Sequence, residues 1–425
     1  MFKVESCVFD VRVESVQVKW MPLDAPREHC MRKPVSVLSD AIQSICQHAV
    51  LGALPADAAS LGLHWLYDTK RLREVEAQHG GCEFLEPGRA NYEGHSGYFA
   101  HETQRAGDLS HYGEGALVML RSLTRVRSGV GGFDARRYEN EFRKHFGAGG
   151  EFRGYIDNAT RLTLDNLAER DRRAITQATV LAKEVPEEVR RTLALKVIPY
   201  TRQFSGDALL EPVARAVRVT YDDERLVRLA HEMAKAIDRA AAPCGADDNQ
   251  VSAIAKLPPL VALYAGQDKL LDGVEAAVRV TNNNNEAVAY ARVGAKVMEA
   301  AMLGANVPRA LAAGLEVSSA GQRLRLERAM ALPSHDPTSK VHDLGQACFV
   351  TEALPVTFYI LSHWTSFPEA IRLNIRMGGD SCGRALILGA VLGATHGVGG
   401  ERGIPLHWLL RVPRNREAAE LLAAL

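Results

Sequence analysis

Along most of this chain the apolar positions recur at helical spacing. Ser39 or Asp40 can cap a helix that carries Ile42, Ile45, Ala49 and Val50 on one face. A second helix is predicted from near Gly113 through Leu117, Leu120 and Leu123. Helical segments then recur at roughly 158–170, 174–183, 186–197, 208–219, 223–241, 249–265, 269–280, 286–303, 307–317, 322–331, 343–362, 366–376, 382–396 and 415–424. Pro186, Gly245, Gly266 and Pro333 mark breaks between some of them. Two stretches depart from this pattern. In residues 1–36, Val4, Val8, Val11, Val13, Val16 and Val18 alternate with polar residues, as in a short strand pair or a mobile extension. Residues 66–112 read as a loop, with Gly80-Gly81, Pro87-Gly88, Gly94, Gly97 and Gly107 among aromatics and histidines.

No fixed repeat period is visible, which disfavours a solenoid. No linker rich in proline, serine or charge divides the helices. The expected organisation is an N-terminal extension, 1–36, followed by a single all-helical domain, 37–425.

Composition agrees with an all-α fold. Apolar residues make up 47% and aromatics only 6% of the 425 positions, so a large core is available and helix-favouring residues dominate. The 51 basic and 51 acidic side chains cancel, which leaves no global field to recruit nucleic acid or a membrane surface. No segment reaches the length of uncharged apolar residues that a membrane span needs. The seven cysteines are scattered and odd in number, with no Cys-x-x-Cys pair. Reduced thiols in a cytoplasmic setting are expected rather than a disulfide framework. The first residues do not read as a signal peptide and the last match no retention address.

Three polar, glycine-containing turns stand out against the apolar helices. In Gly52-Ala53-Leu54-Pro55-Ala56-Asp57 and the residues up to His64, Asp57 is either a helix cap or a functional carboxylate. His64 is either a satisfied polar group or an acid–base residue. In Gly107-Asp108-Leu109-Ser110-His111-Tyr112-Gly113-Glu114, Glu114 puts an acid in a first helical turn, where it favours the dipole. In Gly378-Gly379-Asp380-Ser381-Cys382-Gly383, two glycines allow a sharp turn and Asp380 stands at a helix start.

These segments resemble, in order and spacing, those of the ADP-ribosylglycohydrolase family over about residues 40–412. The resemblance is strongest to a divergent branch that includes jellyfish lens crystallins. It implies a large orthogonal bundle of helices. The family's Gly-Gly-Asp-Thr-Asp-Thr run survives only as Gly378-Gly379-Asp380, because Cys382 and Gly383 stand at the second Asp and second Thr. Its Thr-Asp-Asp-Thr run aligns with Tyr112-Gly113-Glu114-Gly115, and a glutamate position is taken by His64. Gly154-Tyr155-Ile156-Asp157 resembles a turn beside the family's cleft, and Asp247-Asp248-Asn249 resembles the opening of an inner helix. The implied catalytic set is Asp57, His64, Glu114 and Asp380. Asp157, Asn249, Gly378 and Gly379 are the implied binding positions, and Glu114 and Asp380 the remaining metal ligands.

Magnesium requires several hard oxygen donors, so the substitutions imply a site that is weakened or lost. His64, His111, Glu114, Asp380 and Cys382 also form a donor set of a kind that suits zinc. Two functions follow. One is hydrolysis of a glycosidic bond to an ADP-ribose-like or nucleoside-like group. The other is an inactive relative that binds such a small molecule or serves a crystallin-like structural role.

Overall fold

Ser39 does cap the first helix: its side chain accepts from the Ile42 N–H at 3.4 Å, and the helix runs Asp40–Ser60. In the computed structural model the described residues are 39–124, 132–181, 183–202, 204, 206–239 and 243–425. Among them regular structure is entirely helical, with isolated bridges but no strand. Residues Ser39–Leu425 cluster as one compact unit. The alternating valines of the N-terminal extension lie outside the described residues.

The centre of the fold is the Ser381–His396 helix, buried from Ser381 through Ala394. A helix that is apolar all round belongs in a core. Its longest neighbour is the Asp40–Ser60 helix, and small residues set how close they come. A Cβ on Gly52 would run into the carbonyl oxygen of Gly389, and one on Gly393 into that of His48. The helices therefore meet backbone to backbone, which brings Asp57 and the Asp380 turn to the same end of the pair. The Asn285–Met302, Val350–His363, Phe367–Arg376 and His111–Thr124 helices complete the shell.

A second apolar cluster is built by Leu193, Val197, Val213, Val217 and Met233. They come from the Glu187–Thr201, Leu210–Arg218 and Glu224–Arg239 helices, which pack beside Asn158–Leu181.

Several boundaries differ from the sequence reading. The loop-like stretch contains a helix, Thr69–His79, capped by Asp68, whose carboxylate accepts from the Lys70 and Arg71 N–H groups. Only Leu72 and Val75 of it are buried, too few for a strong periodic signal. The Ala135–Phe146 and Leu406–Arg411 helices are also additional. The expected break near residue 171 is absent. Asp171 continues the Asn158–Leu181 helix and pairs with Arg143 and Arg202. The expected 249–265 helix is two pieces, Ser252–Ala255 and Pro258–Tyr264, because the prolines can start a helix but not continue one. No helix among the described residues is long and apolar enough to cross a membrane.

Candidate functional site

The three glycine-containing turns converge. Asp57 is fully buried near the end of its helix, and its two oxygens accept from Ser110: the backbone N–H at 2.8 Å and the hydroxyl at 2.5 Å. Ser110 Oγ in turn accepts from the Tyr112 N–H at 3.1 Å and so caps the His111–Thr124 helix. Burial pushes the Asp57 carboxyl up to about 7 despite those hydrogen bonds. Gly113 is a glycine for a local reason. A Cβ there would collide with Asp57 Oδ2.

Asp380 is also fully buried and caps the central helix, accepting from the Gly383 N–H at 3.0 Å. Its other oxygen accepts from the Tyr112 hydroxyl at 2.8 Å. Burial raises its carboxyl to about 6, opposed by the charge of Arg384 and the Tyr112 bond. The preceding glycines are left-handed, at φ 72° for Gly378 and 66° for Gly379. Side chains at either would strike Leu66 or Gln346. Their backbone groups are bonded within the protein. The Gly379 N–H donates to Leu66 O, and its carbonyl accepts from the Trp65 N–H at 2.8 Å. The Gly378 carbonyl accepts from Arg384 at 2.5 Å. These two glycines shape the site and offer no free group to a ligand.

Arg384 is buried beneath the turn, donating also to Asn374 Oδ1 at 2.8 Å. Burial lowers its guanidinium to about 10, and Asp380 acts against that.

His64 lies over the start of the same helix. The Cys382 N–H donates to His64 Nδ1 at 3.2 Å, which makes Nδ1 an acceptor and places the proton on Nε2. Burial and neighbouring positive groups hold its pKa well below the ordinary range, so the ring is neutral. Its 3.8 Å approach to Asp380 is a contact between a neutral ring and the carboxyl, not an ion pair. The Cys382 thiol reaches the Asp57 carbonyl oxygen at 3.6 Å, and burial raises its pKa well above the usual value. Cys382 is fully buried where the central helix packs on the Asp40–Ser60 helix.

Glu114 points elsewhere. Positions two apart on a helix do not share a face. Tyr112 faces Asp380, whereas Glu114 meets His145 at 2.8 Å and Arg414 at 3.2 Å. The structure therefore does not assemble Glu114 and Asp380 as a ligand pair. Asn249 is likewise committed elsewhere, donating to Glu286 at 2.7 Å.

Next to Asp57 and Asp380 lies a cluster of aromatic and histidine rings. Trp65 adopts a left-handed conformation, φ 63°, rare for a bulky residue and a form of backbone strain that clusters at functional sites. Its ring packs edge-on to Tyr155 with centroids 5.0 Å apart, and Tyr98, 56% exposed, lies on the outer side at 6.0 Å. Three buried histidines surround it: His64 at 4.4 Å, His111 at 6.1 Å, and His101 at 5.3 Å from His64. His64 Nε2, both His111 nitrogens, the Trp65 indole nitrogen and Asp157 Oδ2 are buried without a hydrogen-bond partner. Natural interiors rarely leave so many polar atoms unmet in one place. Burial holds His101 at about 3 and His111 at about 4, so these rings too are neutral.

A sequence profile of the ADP-ribosylglycohydrolase family matches residues 38–257 and 227–425, which together cover most of the chain. The chain belongs to the ADP-ribosylglycohydrolase family. It is 25% identical to Crystallin J1A of Tripedalia cystophora over 384 residues, covering 90% of this chain and 96% of that protein. It is also 25% identical to Crystallin J1B of the same organism over 387 residues, with the same coverage. A solved chain titled ADP-ribosylglycohydrolase-related protein complex aligns with a TM-score of 0.49 and 18% identity, over 90% of this chain and 97% of that one.

The family's magnesium does not fit the residues present. Ser110 occupies Asp57, Tyr112 and Gly383 occupy Asp380, and Glu114 is turned to His145 and Arg414. Among the described residues no group of three or more His, Cys, Asp or Glu side chains is arranged to hold a metal ion. The zinc set named from sequence is scattered in the same way, with Cys382 on a carbonyl oxygen and Glu114 on the far face of its helix.

Tyr112, Ser110 and Arg384 are the site residues whose roles sequence reasoning missed. For Arg384 a signal existed, since it is the only Asp, Glu, Lys or Arg in the otherwise apolar Ser381–His396 helix.

Proposed function

We propose that this chain is a ligand-binding member of the family that does not carry out magnesium-dependent hydrolysis of ADP-ribosyl bonds. Its ligand is a nucleoside-type small molecule bound at the ring cluster around Trp65, in the cytoplasm. The observation that carries this reading is the capping of both buried carboxylates by protein donors, Ser110 on Asp57 and Tyr112 on Asp380. Each magnesium ion needs several hard oxygen donors, and beside these two carboxylates, already engaged by the protein, Glu114 is turned away to His145 and Arg414. The clustered rings and unmet polar atoms around Trp65 support ligand binding, since small-molecule sites combine apolar rings with a few convergent polar groups. Similarity to proteins named crystallins supports the non-enzymatic side of the reading.

The test is equilibrium dialysis with adenosine and ADP-ribose, with and without a chelator, beside a release assay on an ADP-ribosylated protein with magnesium. Binding that is indifferent to the chelator, with no release above the blank, is expected. Magnesium-dependent release of ADP-ribose overturns the proposal.

A further inference from the structure

A groove of about 620 Å³ lies between the Ala320–Ala331 helix and the start of the Val350–His363 helix, a volume that takes a small organic molecule. None of the residues that line it belongs to the ring cluster around Trp65. The first wall is a well-formed helix, with Ser319 and Gln322 closing a capping box at its start. Leu326 and Ala329 bury one face of that helix, and Arg325 and Arg328, three positions apart, share the side next to it. Arg325 gives one N–H to the Thr351 carbonyl at 3.2 Å. Arg328 has neither a hydrogen bond nor an ion pair among the described residues, although Arg323 on the same helix pairs with Glu327. Leu324, 51% exposed, puts an apolar side chain on the same wall.

The second wall carries the opposite charge. Glu352 is fixed there, since its Oε2 accepts from the Ala347 N–H at 2.7 Å and a Cβ on Gly345, at φ 85°, would strike it. Asp343, on the short Val341–Leu344 helix, is exposed and without a partner among the described residues. Leu344 and Pro355 supply apolar surface between these acids. Among the described residues no ion pair joins the two walls, so guanidinium groups and carboxylates face one groove without neutralising each other. A simple anion meets Arg328 but is opposed by Asp343 and Glu352, and a simple cation meets the reverse. An uncharged apolar molecule uses neither wall. A molecule with a carboxylate at one end, an ammonium at the other and an apolar body uses both, through charge-assisted hydrogen bonds at each end. The room exceeds what a single amino acid fills.

We infer that this groove is a second binding site, for a short apolar peptide with free ends. The carboxylate of a di- or tripeptide lies at Arg328, supported by Arg325, and its amino group at Asp343 and Glu352. The apolar side chains lie along Leu324, Leu344 and Pro355. The site is independent of the Trp65 reading, because the two share no residue.

The experiment titrates leucyl-leucine, N-acetyl-leucyl-leucine and leucyl-leucinamide into the full chain, by calorimetry and by ligand-observed saturation-transfer NMR. Parent protein, Arg328→Gln and Asp343→Asn are measured, with circular dichroism as the check on folding. Neither substitution removes a native hydrogen bond or ion pair, so both variants should fold. The parent is expected to bind leucyl-leucine about fivefold or more tightly than either capped peptide, since each cap removes one charged end. In Arg328→Gln the preference over the leucinamide is expected to fall to about twofold, with the preference over the N-acetyl compound kept. In Asp343→Asn the reverse is expected. No saturable response of the parent to leucyl-leucine by either method overturns the site. Equal binding of all three peptides by the parent overturns it too, since the ends are then not recognised. Binding that neither variant alters places the peptide elsewhere and likewise overturns it. The parent comparison needs no variant to fold.

Discussion

The Tyr112 hydroxyl donates to Asp380 at 2.8 Å, joining two fully buried groups 268 positions apart in the chain. At the position where sequence comparison expects a metal-ligand threonine, a phenol supplies a proton donor to the carboxylate that a metal would otherwise have used. Tyr112→Phe should therefore cost about 1–3 kcal/mol of stability, the penalty for leaving a buried carboxyl without its partner. Urea denaturation measures it. A variant as stable as the parent contradicts the assignment.

Gly113 and Asp57 impose the opposite constraint, because they leave no room for a side chain. Gly113→Ala should destabilise by about 1–3 kcal/mol, as overpacking of a buried site does. Gly113→Asp, which restores the family's residue type, should be worse and should bring no gain in magnesium affinity. Calorimetric titration of a folded Gly113→Asp protein that shows new magnesium binding contradicts this.

Stability should respond to pH through Asp57 in a definite direction. Its folded pKa, about 7, lies above the 3.8 of an ordinary aspartate. Between those values the native state holds more protons than the unfolded chain, so the carboxyl lowers stability as pH rises. The buried His64, His101 and His111 act the other way, losing stability as pH falls below the ordinary 6.5. Asp57→Asn removes one side of this balance. Relative to the parent, the variant should gain on the order of a few kcal/mol between about pH 4.5 and about pH 8. A difference that stays flat across that range contradicts the raised pKa.

Arg384 holds the Gly378–Gly379 turn from beneath through Asn374 and the Gly378 carbonyl. Arg384→Met should destabilise by about 3–5 kcal/mol, because it strands buried polar partners beside Asp380. Thermal unfolding reads the loss. An unchanged melting temperature contradicts a structural role for Arg384.

Among the five described cysteines, Cys244 and Cys348 are half-buried, whereas Cys46, Cys82 and Cys382 are buried. Of these five, a mild alkylating reagent should label Cys244 or Cys348 ahead of the others and spare Cys382 until the protein unfolds. Peptide mapping that finds Cys382 labelled ahead of Cys244 and Cys348 in native protein contradicts its burial.

The all-helical fold was legible because apolar periodicity and caps such as Ser39 and Asp380 are local signals. The Asp57, Gly113 and Asp380 turns were legible too, from glycines and acids set in otherwise apolar surroundings. Their chemistry was less so. Whether an acid binds metal or accepts from a protein hydroxyl depends on partners such as Ser110 and Tyr112, which are distant in sequence. Glu114 looked like a ligand by its position in the motif, and only its helical phase relative to Tyr112 turns it toward His145 and Arg414. The Thr69–His79 helix was hidden because it buries so few side chains.

Magnesium titration by calorimetry on the full chain tests the central claim most directly. With Asp57 and Asp380 both bonded to protein donors, no saturable heat of binding is expected at millimolar magnesium. One or two well-defined sites, abolished by Asp380→Ala while the variant remains folded, would show that the carboxylates are available to metal and would contradict the claim.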